Sequence, residues 1–366
     1  MSENMISLSE EYFERLRRYE DAENFAEEKA WLLGLLERYP DDYNVIADIS
    51  RVFDRMGDME GALAYAQRAY SLCKSSRIAV LMAFCLYNLE RYREVISLVE
   101  EYVSEEDDFS GEAADIFFAS GYSRLLSRDF EAAMTDAISH LLWRDEDVTS
   151  VKIEDVRMMI HGIVSLELMS EMAKRGDTDP DVGLIPDEMM DDFYDKLDEL
   201  MDLDDNDDKA HKWLLSVKKK YYTDYIVELK LADVCLEDGL EELAVEHAYR
   251  AFYIRPEEPA CLDMLIESLW VNHINGETVY YADRMLEYDA GDFDSGYTHE
   301  AALGALASAA FYKASALCEM GVFPEARKAF ALFKKYDSEG ADHGLFDDEI
   351  SRVELTLSLV NDNIAN

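Results

Sequence analysis

A small-residue anchor recurs along this chain at a spacing typical of closely packed helices. The clearest instances share the spacing i, i+4, i+7 and a glycine five residues upstream: Gly57 before Ala62, Ala66 and Ala69, and Gly239 before Ala244, Ala248 and Ala251. Gly321 precedes Ala326 in the same way. A stripe of small residues after a glycine-containing turn predicts helix pairs that pack closely and repeat many times.

The anchors form a series in which each member is expected to open the second helix of a pair. In chain order they are Ala62, Val95, Ala133, Ala244, Thr278 and Ala326. An N-terminal pair fits the same register, with Glu28 in place of the small residue. A bulky residue three positions before the anchor recurs as Met59, Tyr92, Phe130 and Phe323.

This pattern resembles the tetratricopeptide repeat (TPR) family. In the unit that begins near Tyr225, the family's small, alanine and proline positions fall on Ala232, Ala244, Ala248, Ala251 and Pro256. About seven units, two of them clear and the others degenerate, cover about two-thirds of the chain. The resemblance implies an all-α solenoid, a TPR-like superhelix of antiparallel helix pairs, with a concave groove that binds a peptide or partner protein.

The register predicts three segments. Residues 1–145 form an N-terminal TPR-like array, 146–220 an irregular and strongly acidic helical middle, and 221–366 a C-terminal array that ends in a capping helix. The middle is either an insertion between two arrays or a set of modified helices, because no clear anchor lies between Ala133 and Ala244. We expect one long helix over 151–175 and an acidic helix over about 187–203.

The net charge limits the kinds of partner that the chain is expected to bind, and the cysteine content indicates its cellular compartment. The formal net charge of -45 repels nucleic acid and anionic membranes and favours cationic segments of a protein partner. No window reaches about 18 apolar residues, so no membrane-spanning helix is expected. Five cysteines without a CxxC motif, and an N-terminus without a signal sequence, predict buried thiols and a cytoplasmic location. The sequence does not specify an oligomeric state.

The sequence carries no recognisable catalytic or cofactor motif, which predicts a non-enzymatic protein without a cofactor. A loose match to a calcium loop is the one metal candidate, with Asp177, Asp179, Asp181 and Glu188 as its carboxylates. Gly183 stands one place later than that motif requires. The alternative interpretation is a solvated acidic connection.

The family's groove positions on the first helix of each pair assign six candidate binding residues in the N-terminal half: Arg51, Arg77, Phe84, Tyr87, Phe118 and Tyr122. Aromatic rings offer apolar area at low entropic cost, and arginine can form paired hydrogen bonds with a carboxylate. Two interpretations of the aromatic residues remain open, a ligand groove and ordinary packing between helices.

Four functions follow in decreasing order of support. The first is a non-enzymatic TPR scaffold that binds a peptide or partner protein, with cationic residues favoured, in its groove. The second is a peptide-sensing regulator resembling bacterial TPR regulators. Calcium-dependent assembly through the loop at Asp177 and an enzyme come third and fourth.

Overall fold

The computed structural model describes residues 9–105, 113–145, 149–201, 209–293 and 298–364. Within these residues the regular secondary structure is helical throughout, without a strand. The α-helices are α1 (Glu10–Asp21), α2 (Phe25–Leu36), α3 (Tyr43–Arg55), α4 (Met59–Leu72), α5 (Ser76–Asn88), α6 (Tyr92–Glu105), α7 (Ala114–Leu126), α8 (Phe130–Trp143), α9 (Ile153–Arg175), α10 (Met190–Met201), α11 (Lys209–Lys218), α12 (Tyr225–Glu237), α13 (Glu241–Ile254), α14 (Pro259–Val271), α15 (Asn275–Met285), α16 (His299–Glu319), α17 (Phe323–Ser338) and α18 (Asp347–Ile364).

The chain divides into two compact units, unit 1 (Met1–Ile163) and unit 2 (Val164–Asn366). In unit 1 the tightest pairs are α3 with α4 and α7 with α8, while α5 contacts both α3 and α7 in a separate layer. In unit 2 the pairs are α12 with α13 and α16 with α17, and α12, α14 and α16 form the corresponding layer. The all-α architecture of stacked helix pairs is the one predicted.

One turn geometry joins the two helices of seven pairs and explains the glycine of the anchor pattern. In each turn one residue has a positive φ: Glu23, Gly57, Glu90, Arg128, Gly239, His273 and Gly321. The backbone amide of the next residue donates a hydrogen bond to the carbonyl five positions before that amide. In the second pair the amide of Asp58, which follows Gly57, donates to the carbonyl of Phe53 at 2.9 Å. Glycine adopts this left-handed conformation without a steric penalty, whereas Glu90 or Arg128 does so at some cost.

The predicted anchors lie five residues after these turn residues in all seven pairs, and each is fully buried. They are Glu28, Ala62, Val95, Ala133, Ala244, Thr278 and Ala326, all with 0% exposure. The recurrence of turn, spacing and burial confirms the TPR-like unit, including the degenerate pairs. Where the anchor is Ala, the helices approach closely because no side chain beyond Cβ separates them.

The middle of the chain is helical, and its residues contribute to both units. The long helix predicted over 151–175 is α9, and the boundary between the units falls within it. The predicted acidic helix begins later, at Met190, after a short 3₁₀ turn over Asp187–Met189. In unit 2, α10 and α11 pack next to α12 around a core that includes Phe193, Leu214 and Leu231. The three-segment division of the sequence stays a prediction.

Helix α16 is the most apolar long helix among the described residues. Among those residues it is the one helix that is long and apolar enough to cross a membrane. By length and composition, the expectation that the chain has no such helix is therefore wrong. However, 83% of its apolar 18-residue stretch is buried inside the protein, as in the core of a helix bundle. The C-terminal helix α18 packs on α16 and α17 through Val353 and Leu357, and its outer face carries the exposed Leu355 and Leu359.

Candidate functional site

A cavity of about 510 Å³ in unit 1 brings three of the six predicted groove residues together. Arg51 lies on α3, and Arg77 and Phe84 lie on α5. These helices belong to the layer that TPR geometry assigns to the groove. The remaining lining residues are Glu20, Asp54, Arg55, Val80, Leu81, Asn88, Asp115 and Ser150.

The wall contributed by α5 is one stripe of the helix. Its members, at helical spacing, are Arg77, Val80, Leu81, Phe84 and Asn88. The stripe begins with the cation Arg77 and ends with the amide Asn88, and the residues between them are apolar. Phe84 is half-buried, and so are Val80 and Leu81, while the opposite face of α5 is buried in the core. The cavity therefore offers apolar area flanked by polar groups, as small ligand sites usually do.

Asp48 fixes the position of two arginines at this cavity. Its buried carboxylate lies 3.1 Å from Nη1 of Arg51 and 3.6 Å from Nη2 of Arg77. The hydroxyl of Tyr12 donates to the same carboxylate at 2.6 Å. Burial raises the pKa of Asp48, while the Tyr12 hydrogen bond and Arg77 oppose that rise. The Arg77 side chain remains 42% exposed, so part of its guanidinium is accessible to a ligand.

Two further charged residues of the lining, Arg55 and Asp115, are also held in place by ion pairs or hydrogen bonds. Arg55 contacts Glu28 at 2.8 Å and Glu20 at 3.2 Å. Asp115 accepts hydrogen bonds from the backbone amides of Ser150 and Val151, at 2.8 and 3.4 Å. Three arginines and three acids therefore face this cavity, which is balanced in charge within a chain that is strongly acidic overall.

The other three predicted residues form an aromatic cluster that does not line the cavity. The ring of Tyr122 lies 6.1 Å from that of Tyr87 and 5.1 Å from that of Phe118. The Phe118 ring is also 6.0 Å from the ring of His140, which is fully buried. Burial raises the pKa of Tyr87 and of Tyr122. Because the three aromatic side chains are half-buried, they act as packing between α5 and α7 that also borders solvent.

The predicted calcium loop is attached to the connection between α11 and α12. The Tyr222 hydroxyl donates to Asp177 at 2.8 Å, and the Ile185 amide donates to Asp224 at 2.8 Å. A Cβ on Gly183 would overlap with Oγ1 of Thr223, so the two segments approach closely. Pro180–Gly183 forms a 3₁₀ turn.

Two of the loop's four predicted calcium ligands are exposed. These are Asp179 and Glu188, whereas the side chain of Asp181 lies outside the described residues. The calcium assignment therefore stays a prediction, while the hydrogen bonds give the loop a structural role in unit 2.

Unit 2 carries a pair of acids on α14 within its own inner layer. One oxygen of Asp263 is shielded from solvent and has no hydrogen-bond partner among the described residues. Burial, reinforced by Glu267, raises the pKa of Asp263 to about 7. Burial likewise raises the pKa of Glu267, and the Tyr312 hydroxyl donates to it.

A second cluster in unit 2 combines two histidines and a cysteine. The potential ligand atoms of His211, Cys235 and His247 all lie within 4.8 Å of one another. Nδ1 of His247 is 2.7 Å from Oε2 of Glu228, whose other oxygen is 2.6 Å from Nζ of Lys218. No other group of three such residues is close enough to hold a metal in the described part of the chain.

The protonation states in this cluster follow from burial. Burial lowers the pKa of His247 to about 4 against the opposing effect of Glu228, so the imidazole is neutral near pH 7. Burial and the carboxylates of Asp238 and Glu246 raise the pKa of Cys235 to about 12, so its thiol is protonated there. Burial disfavours ionisation of Glu228, but Lys218 and the hydrogen bond to His247 outweigh it and hold its pKa well below the usual range.

Several residues of these sites have no signal in the sequence. Asp48, Arg55 and the His–Cys cluster were not predicted, because their partners come from different helices. Arg55 is the exception with a weak signal, because it lies one helical turn after the predicted groove residue Arg51. The histidines and cysteine come from α11, α12 and α13, without the short spacing of a metal motif.

No protein-family model and no curated protein sequence matches the chain. Solved structures do, and among them is the complex of the yeast Sti1 TPR2AB domain with pHSP90, at 12% identity over 81% of this chain and 98% of that one, with a TM-score of 0.31. The P58(IPK) TPR domain matches at 12% identity over 97% and 98%, with a TM-score of 0.29.

Yeast Tom70 matches at 12% identity over 98% of this chain and 61% of its own, with a TM-score of 0.31. The repeated turn geometry and the seven buried anchors carry the assignment of the fold. On these grounds the chain is an all-α protein built from degenerate TPR-like helix pairs.

Proposed function

We propose that the chain is a non-enzymatic scaffold and that the cavity of unit 1 binds a segment of a partner protein. The observation that carries this proposal is the apolar stripe of Val80, Leu81 and Phe84, which shares the cavity with two arginines held in place by Asp48. Such preorganisation lowers the entropic cost of binding, because the cationic side chains are already ordered before the partner arrives.

The partner segment would place one apolar side chain against Val80 and Phe84. A cavity of about 510 Å³ accommodates a single large side chain and part of the adjoining backbone. The exposed guanidinium of Arg77 would donate hydrogen bonds to a backbone carbonyl or a carboxylate of the same segment.

We further propose that the segment carries basic residues on either side of this anchor. The lining acids Glu20 and Asp54 would face them, and the net charge of -45 would speed their encounter with the protein. Long-range attraction of this kind is screened by salt, and it raises the association rate more than it lowers the dissociation rate.

A displayed library of random peptides, selected on the full chain, provides the probe for this proposal. The dissociation constant of a selected peptide is then measured by fluorescence anisotropy for the wild type and for Phe84→Ala and Arg77→Ala. We expect Phe84→Ala to weaken binding about tenfold or more, as for an anchor residue of an interface. Selected peptides should be enriched in basic residues around one apolar residue.

Phe346→Ala is the matched control, because Phe346 is 70% exposed and lies in unit 2. Its affinity should stay within about twofold of the wild type, since it loses a similar ring outside the cavity. Circular dichroism and the unfolding midpoint establish that each variant is folded. A folded Phe84→Ala protein that binds every selected peptide as well as the wild type does would refute this site.

A further inference from the structure

We propose that His211, Cys235 and His247 bind one zinc ion in unit 2. The three side chains come from consecutive helices α11, α12 and α13, and their ligand atoms lie within 4.8 Å of one another. Two imidazoles and a thiolate are a ligand set that zinc binds in proteins.

The environment of His247 is that of a metal-binding histidine. Its Nδ1 is hydrogen-bonded to Glu228 at 2.7 Å, which leaves Nε2 as the nitrogen available to a metal. Lys218, at 2.6 Å, fixes the far oxygen of that carboxylate. A carboxylate that holds the second nitrogen of a ligand histidine sets its tautomer and raises its basicity, and such partners are typical of zinc sites.

His211 supplies an independent indication. Its Nε2 is shielded from solvent and has no hydrogen-bond partner among the described residues. The imidazole ring lies 6.5 Å from that of His247, centroid to centroid, in an edge-to-face arrangement. A buried polar nitrogen without a partner is unfavourable, and a metal ion between the two rings would satisfy it.

Only small movements would close the site around the ion. With Zn–N of about 2.0–2.1 Å and Zn–S of about 2.3 Å, tetrahedral geometry places ligand atoms roughly 3.3–3.6 Å apart. The present separations of up to 4.8 Å require shifts of about 1 Å, within the reach of rotamer adjustment. On binding, the Cys235 thiol gives up its proton to solvent and its sulfur forms the Zn–S bond. One coordination position remains for water.

Zinc at this place would join α11 to the pair α12–α13. Helix α11 is short, and its packing rests on a few side chains such as Ala210 and Leu214. A metal bond from His211 to residues of two further helices would resist separation of α11 from the array. Binding to the folded chain alone therefore raises the unfolding temperature by mass action.

The test uses the full chain without an affinity tag, treated with a chelator and titrated with zinc against a chromophoric competitor. We expect one tight site per chain, and a loss of affinity of about tenfold or more in both Cys235→Ser and His211→Asn. Cys318→Ser and His273→Asn are the matched controls, each half-buried or exposed and outside the cluster, and they should bind as the wild type does.

Cobalt provides a second measurement that does not depend on stability. Cobalt(II) in the wild-type protein should give the intense visible bands of tetrahedral coordination and a sulfur-to-metal charge-transfer band in the near ultraviolet. The charge-transfer band should be missing in Cys235→Ser. Zinc binding that is weak, or equal in the wild type and both cluster variants, or a cobalt spectrum without that band, would overturn the proposal.

Discussion

Nη2 of Arg55 lies 2.8 Å from Oε1 of Glu28, and the Glu28 side chain is completely buried at the anchor position of the first helix pair. Four of the other anchors are Ala, and none is charged. Burial raises the pKa of Glu28, and Arg55 opposes that rise. The first pair thus replaces a close contact between helices with an ion pair that also orients a cavity arginine.

Arg55→Ala should lower the free energy of unfolding by about 2–3 kcal/mol, because it leaves a buried carboxylate without its partner. The double variant Arg55→Ala/Glu28→Ala should recover most of that loss, since alanine is the usual anchor residue. Urea unfolding of Arg55→Ala, Glu28→Ala and the double variant measures the coupling free energy between Arg55 and Glu28. Additive effects of the two substitutions would contradict this account of the pair.

The shared turn geometry predicts opposite effects for two substitutions. Gly57→Ala should destabilise the protein by about 1–2 kcal/mol, because φ is 77° there. Glu90→Gly should stabilise it by about 0.5–1 kcal/mol, since Glu90 adopts a φ of 57° with a side chain. Thermal unfolding of both variants checks the signs. Equal signs would mean that the turns do not share this conformation in solution.

Asp263 should make the stability of unit 2 depend on pH. A pKa of about 7 in the folded chain, against about 4 when unfolded, means that the folded state binds the proton more tightly. The stability that the protonated Asp263 contributes is fully present below a pH of about 4 and is lost as the pH rises through about 7. Asp263→Asn should therefore be more stable than the wild type at pH 8 by about 1–2 kcal/mol, with a smaller difference at pH 5.

The control for that comparison is Asp187→Asn, at an exposed position. Its difference from the wild type should be small at both pH values. The charged or titratable groups that affect Asp263 and its neighbour Glu267 include Asp233, Tyr312 and Glu349, so only the difference between variant and wild type isolates Asp263. A constant difference between pH 5 and pH 8 would show that Asp263 does not titrate in this range.

The repeat was predictable because its signals are local. Ala62 and Ala244 mark fully buried contacts between helices, and Gly57 and Gly239 mark the turns, so spacing alone identifies both. The degenerate pairs keep the geometry without the residue types. Glu90 and His273 adopt the glycine conformation, which composition does not reveal. The sequence also predicted α9, whose apolar stripe runs over several turns.

The candidate sites were predictable only where they follow the repeat. Arg51, Arg77 and Phe84 occupy groove positions of the TPR register, and they do share one cavity. Asp48 was missed because its role depends on Tyr12, a residue of another helix pair. The His–Cys cluster depends on how α11 packs against the following pair. Such contacts between distant positions have no periodic signature.

Hydrogen exchange in the presence of a selected peptide tests the central claim, binding in the cavity of unit 1, most directly. Mass spectrometry of the full chain with and without peptide measures the protection of each backbone segment. We predict slower exchange in α3 and α5, the helices that carry Arg51 and Phe84, and unchanged exchange in α14 and α16. Saturating peptide that protects only unit 2, or leaves α3 and α5 unaffected, would contradict the assignment of this cavity.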